Sequence, residues 1–545
     1  MVTWVIIKSA GPIRSTMLVS IIDGYIDEPS RLGVPPFISP YPRYIAGAVQ
    51  DSGHEWEYVT IDHWRGGTRP RGDLTIIIHG ALVPGKYLRT MPMSGRELET
   101  IMTELKDSAI AWSPQDKGDP DALAYDMLTT GEKIRRRRTL EEWARWPVAG
   151  ANLIAGHQDF DQPLIAEVDV SYGCPHYISG GCSFCTEPAH GEPVFREPVH
   201  VVEEVKALLR AGCTNFRLGG QSCIFCYKAG GIGETSTPEP NATAVGELLK
   251  PLASLEGIRV LHTDNANPAI IASHPKASAR ILDLLVNTCT GGNSLSLGME
   301  SADPVVIEAN NLNTTPEQVM AAIRLINEKG AAAGPTGMPM LLPGLNFIGG
   351  LEGETRDTYR LNGEFLTGVL DAGLMLRRIN IRQVASVRRQ FAPMKHQREF
   401  RRFKTFVREN IDPVMLERVC PNGTVLRDAF TELRMGRITF ARQIGTYPLL
   451  IGIQHDVHLN KFYDLKVTAH GSRSITAVEY PLDINNCEMS ALECLPGIGR
   501  KRAARLIRAR PYRKMDDVAS ALDESVLLES IAEYITIGEY PEART

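Results

Sequence analysis

The sequence is organised around Val168-Asp-Val-Ser-Tyr-Gly-Cys-Pro-His-Tyr-Ile-Ser-Gly-Gly-Cys-Ser-Phe-Cys185. Its first residues alternate between apolar and polar positions, which predicts a short strand. The glycine-rich loop that follows carries Cys174, Cys182 and Cys185, in a C-x7-C-x2-C arrangement. Three thiolates on such a loop can bind three irons of an iron–sulfur cube and leave the fourth iron without a protein ligand. The stretch therefore predicts an iron–sulfur cluster.

Zinc is the alternative occupant of this loop. Structural zinc takes four protein ligands, and His176 could supply the fourth beside the three cysteines. A chance group of cysteines is the remaining interpretation. The residues that follow the loop favour the cluster.

The loop resembles the cluster loop of the radical SAM (S-adenosylmethionine) family, although the usual family spacing is C-x3-C-x2-C. After a helix-like apolar stripe comes a short strand that ends in Gly219-Gly220-Gln221. In the family, a Gly-Gly-Glu-like turn at this place holds the amino group of SAM, and Gln221 keeps a carbonyl acceptor without the charge. Phe184 matches a family aromatic that lies beside the adenine.

The same resemblance extends to Gly298-Met-Glu-Ser301 at the end of an apolar strand. In the family, a Gly-x-Glu-Ser here touches the ribose or the carboxylate of SAM, which makes Glu300 and Ser301 candidate SAM ligands. A buried acid that caps a helix is the alternative for Glu300. A second C-x-x-C, Cys223 and Cys226, has no partner loop and is interpreted as a pair of packed thiols.

Strand candidates alternate with helical segments throughout residues 151–390. The strands are expected at residues 164–170, 215–218, 260–263, 294–299, 345–348 and 378–384. Such alternation predicts a parallel sheet, and six rounds with glycines at strand ends predict a partial (β/α)6 barrel. Its chemistry belongs at the carboxyl ends of the strands, where the cluster loop is expected.

Residues 1–150 are predicted to form a Rossmann-like α/β domain, whose ligands would bind at the carboxyl ends of its strands. Strands are expected at residues 4–7, 56–61 and 74–79, and helices at residues 43–48 and 95–105. The segments 23–29 and 33–47 resemble the entry to the cobalamin-binding domain that precedes many radical SAM cores.

The resemblance implies cobalamin without a lower-face histidine ligand, because the Asp-x-His-x-x-Gly motif is missing and Asp62 and His63 are adjacent. The strand end at residues 79–85 is the candidate for contact with the corrin, through Gly80, Ala81, Val83 and Pro84. A Rossmann-like module that binds nothing is the alternative.

The pattern changes beyond residue 390. Residues 391–485 combine a basic helical run with strands of period two, which predicts an α+β module with a β-rich part. Residues 486–545 resemble a helix–hairpin–helix, in which Gly497 and Gly499 precede a basic helix whose N-terminus suits a phosphate. Nucleic acid is therefore a possible partner, and a packing or protein-docking module is the alternative. Arg135-Arg-Arg-Arg138 is interpreted as a solvated connector or domain seam.

Composition narrows the class of protein. The chain has 545 residues and a formal net charge of −5, which favours a soluble globular protein and gives no overall basic excess. The first residues lack the features of a signal peptide, and no apolar run is long enough to span a bilayer. Five of the ten cysteines stand in C-x-x-C-like groups rather than in a spread framework, which favours a reducing cytoplasm and metal binding over disulfides.

The resemblances together imply a cobalamin-dependent radical SAM C-methyltransferase with a 4Fe-4S cluster, SAM and cobalamin, served by an external electron donor. The domain order is similar to that of the archaeal methyl-coenzyme M reductase glutamine C-methyltransferases. This implies a protein substrate, the α chain of methyl-coenzyme M reductase, methylated on the α-carbon of a glutamine. The rival is a radical SAM enzyme that modifies tRNA or another nucleic acid by methylation or methylthiolation. A nucleic-acid-binding scaffold with a structural metal is the third hypothesis.

Overall fold

The structure is a computed structural model that describes residues 16–26, 36–80, 87, 90–522 and 525–539. The chain divides into two compact units. The first comprises residues 1–289, 311–313 and 385–390, and the second comprises residues 290–310, 314–384 and 391–545.

The described part of the first unit contains ten strands and nine α-helices. The strands are β1 (Leu18–Asp23), β2 (Phe37–Ile38), β3 (Glu55–Thr60), β4 (Leu74–Ile78), β5 (Ala109–Trp112), β6 (Ile165–Asp169), β7 (Ser171–Tyr172), β8 (Val194–Phe195), β9 (Asn215–Gly219) and β10 (Val260–Thr263). The helices are α1 (Tyr41–Asp51), α2 (Ile61–Arg65), α3 (Gly95–Leu105), α4 (Pro120–Thr130), α5 (Leu140–Ala149), α6 (Pro198–Arg210), α7 (Ala242–Ala253), α8 (Pro268–Ser273) and α9 (Pro275–Thr288).

An all-parallel sheet in the order β3-β1-β4-β5 opens the first unit. Every residue of β4 is buried, as expected for a strand covered on both faces. Two of the predicted strands, at residues 56–61 and 74–79, are confirmed as β3 and β4, and the predicted helices are confirmed as α1 and α3. The predicted strand at residues 4–7 lies outside the described residues. Neither β1 nor β5 was predicted.

Capping fixes the start of α3. The Ser94 side chain accepts from the backbone N–H of Glu97, and the Glu97 carboxylate accepts from the backbone N–H of Ser94 at 2.8 Å. This reciprocal arrangement satisfies two donors that the first turn of a helix leaves open. A carboxylate at this end also interacts favourably with the helix dipole.

The second parallel sheet of the first unit has the order β10-β9-β6-β2. Its strands β6, β9 and β10 are the first three of the six strands that the sequence predicts. Even-numbered β6 residues such as Ala166 and Val168 are buried, whereas Glu167 and Asp169 on the opposite face are partly exposed. This alternation places polar groups on one face of the sheet.

The described part of the second unit contains the remaining ten strands and nine α-helices. The strands are β11 (Asn293–Glu300), β12 (Leu341–Gly349), β13 (Ile379–Gln383), β14 (Val425–Met435), β15 (Ile438–Gln443), β16 (Leu450–Ile453), β17 (Phe462–His470), β18 (Ser474–Glu479), β19 (Leu482–Asp483) and β20 (Ile535–Thr536). The helices are α10 (Pro304–Ala309), α11 (Pro316–Gly330), α12 (Arg356–Asp371), α13 (Gln397–Phe406), α14 (Asp412–Val419), α15 (Met489–Glu493), α16 (Arg500–Arg508), α17 (Met515–Ala521) and α18 (Ser525–Ala532).

The last three predicted strands of residues 151–390 form a second parallel set, in the order β11-β12-β13. All six strand predictions are therefore confirmed as strands. They fall into two sheets that belong to different compact units, so a single partial barrel stays a prediction, as does the division of the chain into four domains.

Strands β14 to β18 close into a barrel in the order β14-β15-β16-β18-β17. Neighbouring strands are antiparallel except for β16 and β18, which are parallel. The predicted β-rich module is thus a closed five-stranded barrel. A separate apolar core holds α15 to α18 together, and Gly497, at φ 72°, turns the chain between α15 and α16 as the helix–hairpin–helix resemblance implies.

In the part of the chain that the structure describes, no helix combines enough length and apolar character to cross a membrane. All ten cysteines lie in this part, and none of them forms a disulfide bond there.

Candidate active site

The cysteine loop leaves the first unit's sheet at the carboxyl end of β6. The short hairpin of β7 and β8 brackets it, and its glycines turn the chain, with Gly180 at φ 90° and Gly181 at φ 69°. A Cβ at Gly181 would lie 2.2 Å from Cγ of Pro188, so no larger residue fits this bend. The sequence thus places its three thiols on one tightly folded loop at the edge where a parallel sheet binds ligands.

The three thiols are the ligands in number and kind that an iron–sulfur cube with one open iron requires. Cys174, Cys182 and Cys185 are all partly exposed. Burial raises the pKa of the Cys174 thiol, while the backbone N–H of His176 and the Ser222 hydroxyl oppose the rise. Among the described residues, no three His, Cys, Asp or Glu side chains stand close enough to hold a metal ion. The donor set fits the cluster, and its side chains have to converge when the cluster binds.

His176 is already engaged within the loop. Its Nε2 donates to the carbonyl oxygen of Asn311 at 2.8 Å, and its Nδ1 lies 2.7 Å from Oγ of Ser179. The ring is 5% exposed. A zinc site with this histidine as fourth ligand would have to break one of these bonds, so the zinc interpretation loses its fourth ligand.

Two side chains from distant parts of the chain hold the carbonyl oxygens of the loop. Asn311 Nδ2 donates to Ser179 O at 2.8 Å and to Gly181 O at 3.0 Å. Arg388 Nη1 donates to Cys182 O at 2.8 Å, and its Nη2 donates to Gly180 O at 2.7 Å. Neither residue was predicted, because nothing in the local sequence links them to a loop more than 100 positions away.

Gln221 follows β9 and lies deep in the site, with 3% of its surface exposed. Its Nε2 donates to Leu218 O at 2.9 Å and to Thr263 Oγ1 at 3.0 Å. Its Oε1 is buried and has no hydrogen-bond partner within the described residues. An orphaned carbonyl oxygen of this kind is expected where a ligand donates a hydrogen bond.

The turn that contains Gln221 contacts the start of the cysteine loop. The Ser222 hydroxyl donates to Gly173 O at 2.8 Å. Phe184 lies half-buried on the loop itself. The first unit therefore brings together the three cysteines and the turn Gly219–Gln221, while their roles towards cluster and SAM stay predictions.

Glu300 and Ser301 belong to the second unit, at the end of β11. Glu300 has φ 63°, and its Oε2 is buried without a hydrogen-bond partner in the described chain. Burial raises the pKa of its carboxyl to about 8, against the opposing charge of Arg382.

The helix-cap alternative for Glu300 is wrong. Asp303 caps α10, since its Oδ1 accepts from the backbone N–H of Val305 at 3.0 Å. Ser301 Oγ in turn accepts from the backbone N–H of Asp303 at 3.1 Å.

Cys223 and Cys226 are both buried, at 3% and 2% exposure. The Cys223 sulfur accepts from the backbone N–H of Asn267 at 3.2 Å. Their packing agrees with the interpretation as packed thiols.

Only part of the predicted corrin contact lies within the residues that the structure describes. Gly80 follows β4, and a Cβ there would lie 3.1 Å from Cα of Ile26. Ala81, Val83 and Pro84 lie outside the described residues. Across the sheet, the Gly24 N–H after β1 donates to Ile78 O at 2.8 Å.

Three of the four arginines 135–138 pair with carboxylates of the first unit. Arg136 pairs with Asp126 and Glu142 at 2.8 and 2.7 Å, and Arg137 pairs with Asp119 at 2.9 Å. Arg138 is buried and lies 2.9 Å from a carboxylate oxygen of Asp121. Arg136, Arg137 and Arg138 are therefore paired within the first unit, so they do not form a solvated connector, and the domain-seam interpretation of the segment stays a prediction.

Residues 168–356 match the radical SAM superfamily. A protein of Methanocaldococcus jannaschii named "Uncharacterized protein MJ0274" is 40% identical over 503 residues, which cover 84% of this chain and 92% of that protein. The chain is a radical SAM enzyme of the family that includes this archaeal protein. The radical SAM domain implies a 4Fe-4S cluster and SAM as cofactors.

Two more distant similarities concern parts of this radical SAM enzyme. A tRNA-2-methylthio-N(6)-dimethylallyladenosine synthase of Citrifermentans bemidjiense is 26% identical over 175 residues, 32% of this chain and 35% of that protein. The radical SAM methyltransferase TsrM of Kitasatospora setae, solved with cobalamin and a [4Fe-4S] cluster, has a TM-score of 0.46 and 14% identity over 67% of this chain and 75% of its own.

Proposed function

We propose that the protein is a cobalamin-dependent radical SAM C-methyltransferase. The observation that carries the cobalamin part is the strand order β3-β1-β4-β5. Counted along the chain, the order is 2-1-3-4, which reverses direction between β1 and β4. Open parallel sheets bind their ligands at the carboxyl ends of the strands, at such a reversal. Gly80 and Gly24 lie at these two strand ends.

Glycines at the two strand ends allow the backbone to approach its neighbours closely. A Cβ at Gly24 would lie 2.5 Å from Ile78 O, so the two strand ends touch through backbone alone. Met93 and Ile26 occupy the space that Cβ atoms at Gly24 and Gly80 would need. When bound, the cluster and SAM supply a radical and the cobalamin supplies a methyl group, while the protein supplies placement and exclusion of water.

The chain's own residues have distinct tasks in this proposal. Cys174, Cys182 and Cys185 hold the cluster, and the orphaned Oε1 of Gln221 accepts from the amino group of SAM. Glu300 belongs to the other compact unit, so its assignment to SAM stays a prediction from the family resemblance.

Metal and corrinoid analysis of protein purified without oxygen tests this proposal. We expect iron and sulfide in about a four-to-four ratio, as a cube requires, and saturable binding of added hydroxocobalamin. The Cys185→Ala variant should lose the iron and keep the cobalamin, because the two sites lie on different sheets. A full cluster with no affinity for cobalamin would end the methyltransferase proposal.

For the substrate we propose the α chain of methyl-coenzyme M reductase, methylated on the α-carbon of a glutamine. Support comes only from the domain order noted in the sequence. The test is incubation of the loaded enzyme with a peptide carrying that glutamine, followed by mass spectrometry. A gain of about 14 daltons, one CH2 group, supports the assignment, and an unchanged peptide mass contradicts it.

Modification of a nucleic acid is the second candidate, favoured by the barrel of the second unit. Its order, 1-2-3-5-4 with strands three and five parallel, is that of a closed five-stranded Greek-key barrel, an architecture that binds oligonucleotides and oligosaccharides. The adjoining residues 494–514 contain eight Lys and Arg residues and no Asp or Glu. A polyanion complements this charge.

Direct contacts join the barrel to residues 533 and 534, which follow α18, and Tyr534 shares an apolar core with α16. Lys466 Nζ on β17 donates to Glu533 O at 2.9 Å, and the Tyr534 hydroxyl donates to Val467 O at 3.2 Å. Within the described chain, Arg500, Lys501 and Arg508 have no ion-pair partner and are exposed. A ligand could therefore neutralise them without breaking an existing pair.

Fluorescence anisotropy with tRNA, single-stranded RNA and duplex DNA at increasing salt tests the second candidate. The variant Arg500→Gln/Lys501→Gln/Arg508→Gln should bind more weakly and with a shallower salt dependence, because phosphate contacts are lost. The variant Arg210→Gln/Lys276→Gln/Arg280→Gln removes the same charge from exposed helix positions and should bind normally. Equal binding by both variants would contradict a nucleic-acid surface at residues 494–514.

A further inference from the structure

The turn Gly219-Gly220-Gln221 lacks a negative charge for its proposed ligand group. The amino group of SAM is an ammonium at neutral pH, and Gln221 offers it one neutral oxygen. The amide nitrogen of Gln221 is held by Leu218 O and Thr263 Oγ1, so Oε1 is the atom left to face a ligand. A buried cation is stabilised far better by a carboxylate than by an amide.

Asp169 places a carboxylate beside this turn. It is the last residue of β6 and pairs with Gly219 on β9 in the parallel register. A Cβ at Gly220 would lie 2.5 Å from Oδ1 of Asp169. The carboxylate therefore occupies the space that a side chain at Gly220 would need, one residue before Gln221.

The neighbouring acid has a different partner. Glu167, two residues earlier on the same face of β6, forms an ion pair with Arg217 of β9. The Asp169 carboxylate has no hydrogen-bond or ion-pair partner within the described residues, although Arg196 Nη1 binds its backbone oxygen at 2.8 Å. Of the two carboxylates on the polar face, that of Glu167 is therefore ion-paired and that of Asp169 is available to a ligand.

Charged groups on neighbouring elements shift the pKa of the Asp169 carboxyl, some upwards and some downwards. Burial and the charges of Glu167 and Glu204 raise the pKa of its carboxyl to about 7, while Arg138 and Arg43 oppose the rise. Burial disfavours the ionised form of this carboxyl, and a bound cation would stabilise that form.

We propose that Asp169 binds the ammonium group of SAM together with Gln221 and supplies the charge that a glutamate in the turn would have carried. This inference rests on the proposed binding of SAM at the cluster. Asp169 binds the ligand and takes no part in bond cleavage. Gly220 is required to be glycine because any side chain would displace the carboxylate.

Equilibrium dialysis of the cluster-loaded protein with SAM and with a SAM analogue bearing hydrogen in place of the amino group tests the proposal. Asp169→Asn should weaken the binding of SAM by roughly 10- to 100-fold, the range for loss of a charge-assisted hydrogen bond. Its affinity for the analogue should equal that of the unmodified protein. The control Asp161→Asn, at an exposed position, should bind both ligands normally.

A second test restores the negative charge at position 221. The double variant Asp169→Asn/Gln221→Glu should recover most of the lost affinity for SAM, because Glu at position 221 restores a carboxylate in the same turn. Undiminished SAM binding by Asp169→Asn would overturn the proposal, as would an equal loss for SAM and the analogue. Failure of the unmodified, cluster-loaded protein to bind SAM would instead defeat the proposed function and this inference with it.

Discussion

Arg388 donates from Nη1 to the carbonyl oxygen of Cys182 over 2.8 Å, although 206 positions separate the two residues in the chain. The same guanidinium reaches Gly180 O at 2.7 Å and Cys185 O at 3.5 Å. A fixed cation therefore lies against the backbone of two of the three cysteines that we assign to the cluster. Its charge favours the more negative, reduced state of a cluster bound there.

We predict that Arg388→Gln lowers the reduction potential of the cluster and the iron content of purified protein. Redox titration monitored by electron paramagnetic resonance measures the potential. Arg388→Lys should restore part of the potential, since it keeps the charge but loses the fork of donors. Arg210→Gln is the control at an exposed helix end, and a potential unchanged in Arg388→Gln would show that the contact is only structural.

The buried carboxylate of Glu204 joins two buried arginines. Its Oε1 accepts from Arg43 Nε at 2.9 Å, and its Oε2 accepts from Arg196 Nη1 at 2.5 Å. Glu204→Gln would leave two buried cations without an anion, and we expect a loss of roughly 3–5 kcal/mol in the free energy of unfolding. Denaturant unfolding measures this loss.

The adjacent residue gives a matched control. Glu203 forms an exposed pair with Lys206 at 2.9 Å, and Glu203→Gln should cost less than about 1 kcal/mol. Similar losses for the two variants would contradict the buried arrangement.

Helix α1 approaches the backbone of helix α5 closely at Gly47. A Cβ at Gly47 would lie 2.0 Å from Trp146 O, closer than any real contact. Gly47→Ala should therefore destabilise the first unit by about 1–3 kcal/mol through overpacking, despite the better helix propensity of alanine. Gly95→Ala, at a helix start where a Cβ meets nothing within 4 Å, should leave the thermal midpoint unchanged or slightly raised.

Glu300 predicts a dependence of stability on pH. Its pKa rises from 4.5 to about 8 on folding, so between these values the folded chain holds a proton that the unfolded chain has lost. Stability contributed by this group falls as pH rises through that window. Glu300→Gln cannot lose the proton, so its thermal midpoint should decline less between about pH 5 and pH 8.

The exposed Glu317 is the control for this pH effect. Its pKa is lowered by a hydrogen bond from Thr315, so Glu317→Gln should show the same decline as the unmodified chain. Parallel curves for Glu300→Gln and the unmodified chain would contradict a buried, protonated Glu300.

The sequence predicted those parts of the fold that local pattern determines. Short apolar stretches with glycine near the strand ends located all six strands of residues 151–390, because this pattern is local in the sequence. The helix expected at residues 95–105 was likewise found, as α3. The cysteine spacing located the loop without any knowledge of its surroundings.

The remaining features depend on contacts between distant segments. The hydrogen bonds from Asn311 and Arg388 to the loop join residues more than 100 positions apart, and no local sequence pattern predicts them. The parallel pairing of β16 with β18, which defines the barrel, depends on strand register rather than on composition. The burial of Arg138 could not be chosen from the sequence, because its carboxylate partners Asp119 and Asp121 lie 17 to 19 positions away in the chain.

The most direct test of the account is low-temperature electron paramagnetic resonance of the reduced, oxygen-protected protein, before and after addition of SAM. We predict a cube signal that changes on addition of SAM, because the iron without a protein ligand binds it. Cys185→Ala should lose the signal and the buried-site control Cys289→Ala should keep it. Zinc in place of iron, or a cube signal indifferent to SAM, would contradict the account.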